Sequence, residues 1–415
     1  MGSRHTVITS LREVDCSKYE LIVKHPYVLR LNDIDQLSFV DKVYRGAKHS
    51  RYDHSVFVYH FTDEITNHLL KKACINPEEK TNTEIAAILH DLRQPPYSHA
   101  SGFLIEALGK ERGETIDHKI KALELIEDEK KDREGRTLKH CIKDCGGNIE
   151  VVKQIILKQN PLSQIISHNT LGADKTGYVL LDSNRTFYYP ALPFMLDIFK
   201  SYYFDGSTLG LEDESKVPQV RVLQAAYQDM YLNVYFHPTV RYYERLFEKS
   251  LQKLIEDGTI SEKELWNIEQ SELDHVMKTN EKTSRLFTKI QNEEMDQEVL
   301  SIDYDSLDDR KFKRVASFYS NPLNLSKAEQ RIAERSRCNS DQVTCNLTVL
   351  PNRIIPEDVF VFSNGKSVFD KYPFYFRSLV EYADKSTSIK LYKDPKIEVD
   401  AEKCREFLID TRSLN

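Results

Sequence analysis

Residues 81–92 read TNTEIAAILHDL, an apolar helical stretch that carries His90 and Asp91 side by side at its end. An ionised carboxylate on a helix that reads as buried costs several kcal/mol unless a cation, hydrogen bonds or a metal ion meets it. Any fold of this chain must bring that partner from elsewhere in the sequence. Neighbouring helical residues diverge by about 100°, so the two side chains reach a common ligand only where the helix is ending. Pro95 and Pro96 supply such an end.

Helical periodicity dominates the text around this pair. Residues 51–73 repeat apolar side chains at helical spacing and stop before Pro77. The stretch at 81–92 has a Thr or Asn start signal and an Arg-Gln-Pro-Pro stop. Residues 117–131 begin on an Asp and are amphipathic, as are 149–159. Asp174 opens the helix predicted over 175–189. Two more follow, one closed by Gly258 and one opened by a Ser261–Glu264 capping box. After about residue 300 the character changes. QVTCNLTVL, DVFVFS and SIKLYK are short and β-branched, with turn residues such as Pro351, Asn364 and Gly365 between them. The expected fold is mainly α: an N-terminal tail over 1–20, one helical unit over 21–300, and a mixed α/β lobe over 301–415. The charged run at 308–320 reads as a solvated helix face.

Composition removes several classes. The chain has 415 residues, 40% of them hydrophobic and 30% charged, which is enough apolar material for a core and too much for a disordered chain. No apolar run approaches the ~18 residues of a membrane span. Lys and Arg number 58 against 65 Asp and Glu, so 58 − 65 = −7, which argues against a duplex-binding protein. The polar start implies no secretion, and Gly2 with Thr6 reads as an ordinary beginning, not an acylation signal. The seven scattered cysteines imply no disulfide framework. A cytoplasmic location is expected, nuclear if the source is eukaryotic. His140, Cys141 and Cys145 lie close together, but no second ligand pair stands at zinc spacing.

Two further polar residues sit on predicted core helices: His54, behind Arg51, and Asp174. Two imidazoles and two carboxylates make a mixed N/O ligand set for a divalent metal. The ordered set Arg51-x-x-His54, His90-Asp91 and Asp174 resembles the pattern of the HD-domain metal-dependent phosphohydrolases. Gln36-Leu37, the run from His90 through Pro96-Tyr97-Ser98-His99, and Asp174-Lys175-x-x-Tyr178-x-x-x-Asp182 are similar to its deoxynucleoside triphosphate triphosphohydrolase branch. The likeness covers roughly 20–300; no sterile-alpha-motif domain, as in the mammalian member, fits in the N-terminal tail.

The resemblance implies an HD-domain helical fold and one divalent metal ion held by His54, His90, Asp91 and Asp174. Its identity is open among Mn, Fe, Mg, Zn and Co. His99, aided by His118, would protonate the leaving 5′ oxygen. Arg51, Lys175 and Tyr178 would contact the triphosphate. Gln36 and Asp182, with Tyr178, would read the sugar 3′-hydroxyl, and Leu37 would crowd the 2′ position. The implied reaction takes a dNTP to deoxynucleoside and inorganic triphosphate. The family also implies a homo-oligomer. Alternatives are an HD phosphohydrolase acting on another nucleotide phosphoester, and a catalytically weak protein that binds nucleotide or single-stranded nucleic acid. The second is disfavoured because no aromatic-and-basic repeat is present.

The chain departs from that pattern in its polar surroundings. Gln94 stands where the family has a histidine, and an amide cannot carry a proton at neutral pH. Gly102 occupies an acidic position, with Glu106 nearby. Lys119 replaces a Glu after His118, and Leu181 replaces an Arg before Asp182. Lys24, Leu29 and Asn32 fall where the mammalian relative binds an activating guanine nucleotide. Leu29 cannot hydrogen-bond a base edge and Lys24 reverses a charge, so activation of that kind is expected to be absent.

Overall fold

The computed structural model describes residues 6–8, 13–186, 188, 192–349 and 351–411. The Arg51–Lys71 helix lies at the centre of the main core, with Val56, Phe57, Val58, Phe61, Ile65 and Leu69 buried along it. The Pro77–Leu89 and Ala173–Thr186 helices pack against it. Each of the first two starts on a reciprocal cap. The Ser50 hydroxyl accepts from the Asp53 N–H while the Asp53 carboxylate accepts from the Ser50 N–H. Asn76 and Glu79 repeat the arrangement, with Pro77 in the first turn. The second helix therefore begins earlier than the Thr or Asn signal at 81–82 suggested, because a polar first turn read as linker is held by its cap.

The capping box of Ser261 and Glu264 is present, though the helix it opens is a single turn, Glu262–Leu265. Gly258 follows the Pro238–Glu256 helix with φ +74°, the left-handed stop expected of it.

The chain is mainly helical with a C-terminal mixed region. There Ser388–Lys393 pairs antiparallel with Gln297–Asp303 on one side and Val343–Leu347 on the other. The charged run forms the Asp309–Tyr319 helix, which turns Phe312, Val315, Ala316 and Tyr319 inward and its charges outward. A second sheet was not foreseen. Tyr202–Phe204 and Leu209–Leu211 form a hairpin, and Phe360–Val361 adds parallel to Leu209–Leu211, followed by Lys366–Ser367. Val359, Val361 and Val368 thus join the main core, while Ile302, Phe312, Val343, Leu391 and Phe407 belong to a second core of the C-terminal region.

Residues read as a tail carry a ribbon of Thr6–Ile8 with Glu13–Asp15, and Val14, Cys16 and Tyr19 are buried in the main core. The fully buried Glu84 anchors this segment. It accepts hydrogen bonds from Tyr19 Oη at 2.5 Å and Lys18 Nζ at 2.7 Å, and is paired with Lys80.

Arg245 joins the Pro238–Glu256 helix to the C-terminal region. It is 1% exposed and meets Glu248 at 3.0 Å and Glu329 at 2.8 Å. Arg245→Met is expected to destabilise the chain by about 3–5 kcal/mol, because two buried carboxylates lose their counter-charge. A denaturant midpoint matching the wild type would contradict this. Among the described residues no helix is long and apolar enough to cross a membrane.

Candidate metal centre and active site

Three elements converge on one point. His54 lies in the first turn of the central helix, fixed by the Ser50 cap and by the Arg51 N–H donating to Ile34 O at 2.8 Å. His90 closes the Pro77–Leu89 helix. Its Nδ1 lies 2.8 Å from Ala87 O; a carbonyl only accepts, so in the neutral ring Nδ1 carries the proton and Nε2 presents its lone pair. Asp174 sits in the first turn of the Ala173–Thr186 helix. Gly172 precedes it because a Cβ there would lie 2.5 Å from Ile166 O; this close approach brings the helix opening into place.

His54 Nε2 is 3.3 Å and His90 Nε2 3.7 Å from Asp174 Oδ1. Potential ligand atoms of His54, His90 and Asp174 all lie within 4.8 Å of one another. Both Nε2 atoms are buried without a hydrogen-bond partner. Buried imidazole lone pairs facing a carboxylate are a donor set suited to a divalent cation, so the residues present fit such an ion. Asp91 stands at the edge of this trio. Its Oδ2 lies 3.6 Å from each Nε2 but also accepts from Arg51 Nη1 at 2.6 Å.

Gln94 explains itself here. Its amide donates to Asp91 Oδ1 at 2.9 Å, so it orients the carboxylate where the family has a titratable imidazole.

Charge in the cluster follows from its geometry. Burial opposes a charge on His90, but the Asp91 and Asp174 carboxylates outweigh it and push its pKa up to about 8. Burial likewise opposes ionisation of Asp91 and Asp174, and the imidazoles, with Arg51 beside Asp91, hold both below the usual carboxylate range. A proton on His90 competes with a metal ion. Apparent affinity for Mn²⁺ is therefore expected to fall as pH drops below about 8, with proton release on binding; pH-independent titrations would refute it. The folded pKa lies above the free imidazole value, so this group's contribution to the metal-free fold is complete below about 6.5 and is lost as pH rises through about 8.

The cluster opens into a cavity of about 490 Å³, whose lining includes each of the sequence-derived site residues except His54. Arg51 is buried, its Nε donating to Ser98 Oγ at 2.9 Å, while Nη2 has no partner. Gln36 is buried, its N–H donating to His49 O at 3.0 Å and its Oε1 unpartnered; Leu37 is buried beside it. Lys175 Nζ donates to Tyr178 Oη at 2.8 Å and lies 5.0 and 5.2 Å from the centroids of the Tyr178 and Tyr227 rings. Asp182 is buried and accepts from Tyr235 Oη at 2.8 Å, with His49 Nε2 at 2.9 Å. His118 begins the His118–Glu127 helix, half-buried, and burial lowers its pKa. Glu106, one turn beyond Gly102, also lines the cavity.

His99 follows two residues in the left-handed region, Tyr97 at φ +58° and Ser98 at φ +46°. Such a pair of non-glycine residues is strained by roughly 1–2 kcal/mol each. It is held by Tyr97 Oη donating to Asp274 at 2.6 Å, and by Ser98 Oγ between Arg51 and Asp35 O. His99 is accessible, but its accessible face looks into the cavity. The surrounding protein and the charges of Arg51 and Arg353 hold its pKa well below the ordinary imidazole range.

Sequence reasoning did not find His49, Tyr227, Tyr231, Tyr235, Lys158 or Arg353. Tyr231 and Tyr235 come from a π-helical turn, Tyr231–Tyr235, that continues the Val217–Met230 helix. Such turns recur at functional sites but leave no periodic signal. Leu181, in place of an Arg, is a core side chain. Leu29 is 43% exposed, and Asn32 Nδ2 donates to its carbonyl at 3.0 Å.

Residues 51–182 match the family model for the HD domain, and residues 204–368 that for the HD associated region. An uncharacterised protein of Methanocaldococcus jannaschii is 26% identical over 259 residues, 61% of this chain and 50% of that one. The deoxynucleoside triphosphate triphosphohydrolase SAMHD1 homolog of Dictyostelium discoideum is 32% identical over 104 residues, 24% of this chain and 20% of that protein. The chain spans at most about half the length of the curated relatives it matches. A crystal structure of a phosphohydrolase from Bacteroides thetaiotaomicron superposes with TM-score 0.70 at 18% identity, covering 94% of this chain and all of that one. A hypothetical protein from Aquifex aeolicus superposes with TM-score 0.69 at 18% identity, covering 99% and 100%. At that identity the two structures establish the shared fold.

Proposed function

Since the chain belongs to the HD-domain family, we propose that it is a metal-dependent phosphohydrolase that converts a deoxynucleoside triphosphate to deoxynucleoside and inorganic triphosphate. The observation that carries this reading is the buried, unpartnered pair of imidazole Nε2 atoms facing Asp174, at the floor of a cavity that also presents Arg51 and Lys175. A divalent ion held by His54, His90 and Asp174, with Asp91 beside them, would lower the pKa of a bound water and draw charge from the attacked phosphorus.

The chain's own side chains do the rest. Arg51 keeps one guanidinium nitrogen free inside the cavity and gives it to a phosphate oxygen. Lys175, held in place by Tyr178, supplies a second cation. His99 delivers the proton that the departing 5′ oxygen needs. Its depressed basicity in the free protein comes from burial with Arg51 and Arg353; bound phosphate charge offsets those cations and raises its hold on a proton. Gln94 moves no proton and keeps Asp91 aligned. Leu37 walls the sugar, and an apolar wall rejects an added hydroxyl by only about a hundredfold, so ribonucleotides are expected as slower substrates.

The departures at Gln94 and Lys119 favour a second reading, hydrolysis of a different nucleotide phosphoester at the same centre. Chromatographic product analysis of each dNTP and rNTP with Mn²⁺, Mg²⁺, Co²⁺ and Zn²⁺ separates the two. Deoxynucleoside with inorganic triphosphate is the expected result; orthophosphate alone would replace the substrate assignment. Added GTP is expected to leave the rate unchanged.

A further inference from the structure

The cavity carries a second group of cations that the chemistry above does not use. Lys119 is in the first turn of the ten-residue His118–Glu127 helix, and Lys158 follows the Ile149–Ile156 helix. Both line the cavity, Lys119 half-buried and Lys158 at its rim. The acids nearby are committed elsewhere. Asp117 accepts from the Lys119 backbone N–H at 2.8 Å. Glu124 pairs with Arg93 and Lys121, and Glu127 and Glu150 both pair with Lys153. The charge of Lys158, after burial, is the main influence depressing the basicity of Lys119. Asp174 and Asp91 also act on Lys119, but less than Lys158 does, and both face the imidazole cluster. Two cations lining one cavity repel each other and are relieved by an anion. The helix N-terminus adds positive potential of the same sign at Lys119.

We propose that Lys119 and Lys158 form a phosphate subsite of the cavity, which takes a phosphate group of the substrate other than the one at the His54–His90–Asp174 centre. The inference rests on the phosphohydrolase reading of that centre. The same chemistry has two sources: a further phosphate in the chain of a nucleoside triphosphate, or a phosphate on the far side of the sugar.

Binding to the full chain in the presence of Mn²⁺ tests it, with three probes: inorganic triphosphate, a nucleoside 3′,5′-bisphosphate, and a nucleoside 5′-monophosphate as reference. The wild type is expected to bind one of the first two at least about tenfold more tightly than the monophosphate, the scale of one charge-assisted hydrogen bond. A preference for triphosphate assigns the subsite to the phosphate chain; a preference for the bisphosphate assigns it across the sugar. Lys158→Gly and Lys119→Gln should each remove most of that advantage and leave monophosphate binding as it was. Lys158 has φ +60°, a conformation in which glycine is at home, so Lys158→Gly takes away the cation without straining the backbone. Variants that bind all three probes like the wild type overturn the subsite, as does an equal loss on all three. Nucleotide hydrolysis is followed in the same preparations. Absence of turnover on every nucleotide with the binding preference intact would remove the phosphohydrolase reading and keep the subsite.

Discussion

Asp174→Ala is expected to lower kcat by at least about a thousandfold, the scale of losing several kcal/mol of transition-state stabilisation at a metal centre. The same variant is expected to lose its bound metal in elemental analysis while its circular dichroism stays helical. The reason is local. Asp174 is the carboxylate that both unpartnered Nε2 atoms face most closely, while Asp91 lies 3.6 Å from each and also neutralises Arg51. Asp174→Asn keeps the shape and removes the charge, so it should fail almost as completely. Unfolding of both variants would assign the cluster a structural role. Turnover retained after the metal is lost would sink the proposed chemistry.

His99→Ala is expected to lower kcat by about 10²–10⁴, the usual contribution of a general acid, with KM changed little. A substrate whose leaving group needs no proton, such as a nitrophenyl phosphoester, distinguishes proton donation from mere positioning. On that substrate the variant should recover most of the wild-type rate. An equal deficit on both substrates would remove His99 from the proton-transfer role. The prediction has a structural basis in the Tyr97–Ser98 bend, which places His99 in the cavity wall at a cost in backbone strain.

The parts of the fold that could be read from the sequence are those fixed by short-range rules. The Ser261–Glu264 box and the Gly258 stop follow from local capping chemistry, and the structure has both. The His54–His90–Asp174 cluster was legible through the resemblance of its ordered motif to the HD-domain pattern; burial of ionisable residues on apolar helices demands partners without saying which. Other features depend on contacts between distant residues. Tyr235 reaches Asp182 across 53 positions and His49 reaches it across 133; nothing at Tyr235 or His49 announces either bond. The strands at 202–204 and 209–211 are three residues long, too short for an alternating pattern to emerge. The turn at 97–98 shows only Tyr and Ser, residues that do not signal positive φ. The overall charge of −7 conceals a local gathering of cations, since Arg51, Lys119, Lys158, Lys175 and Arg353 line one cavity beside the carboxylates of Asp91, Asp174 and Asp182.

That cavity is walled by residues from Gln36 to Ile355. On a ribosome the metal-binding trio emerges with the helix ending at Thr186, long before the chain reaches Ile355. At 5–20 residues per second the interval is roughly ten to thirty seconds. During it the nascent chain carries its ligands in a cleft that still lacks Arg353 and Ile355. Metal capture can thus precede enclosure, and any hydrolysis that needs the finished pocket waits until residue 355 has been added.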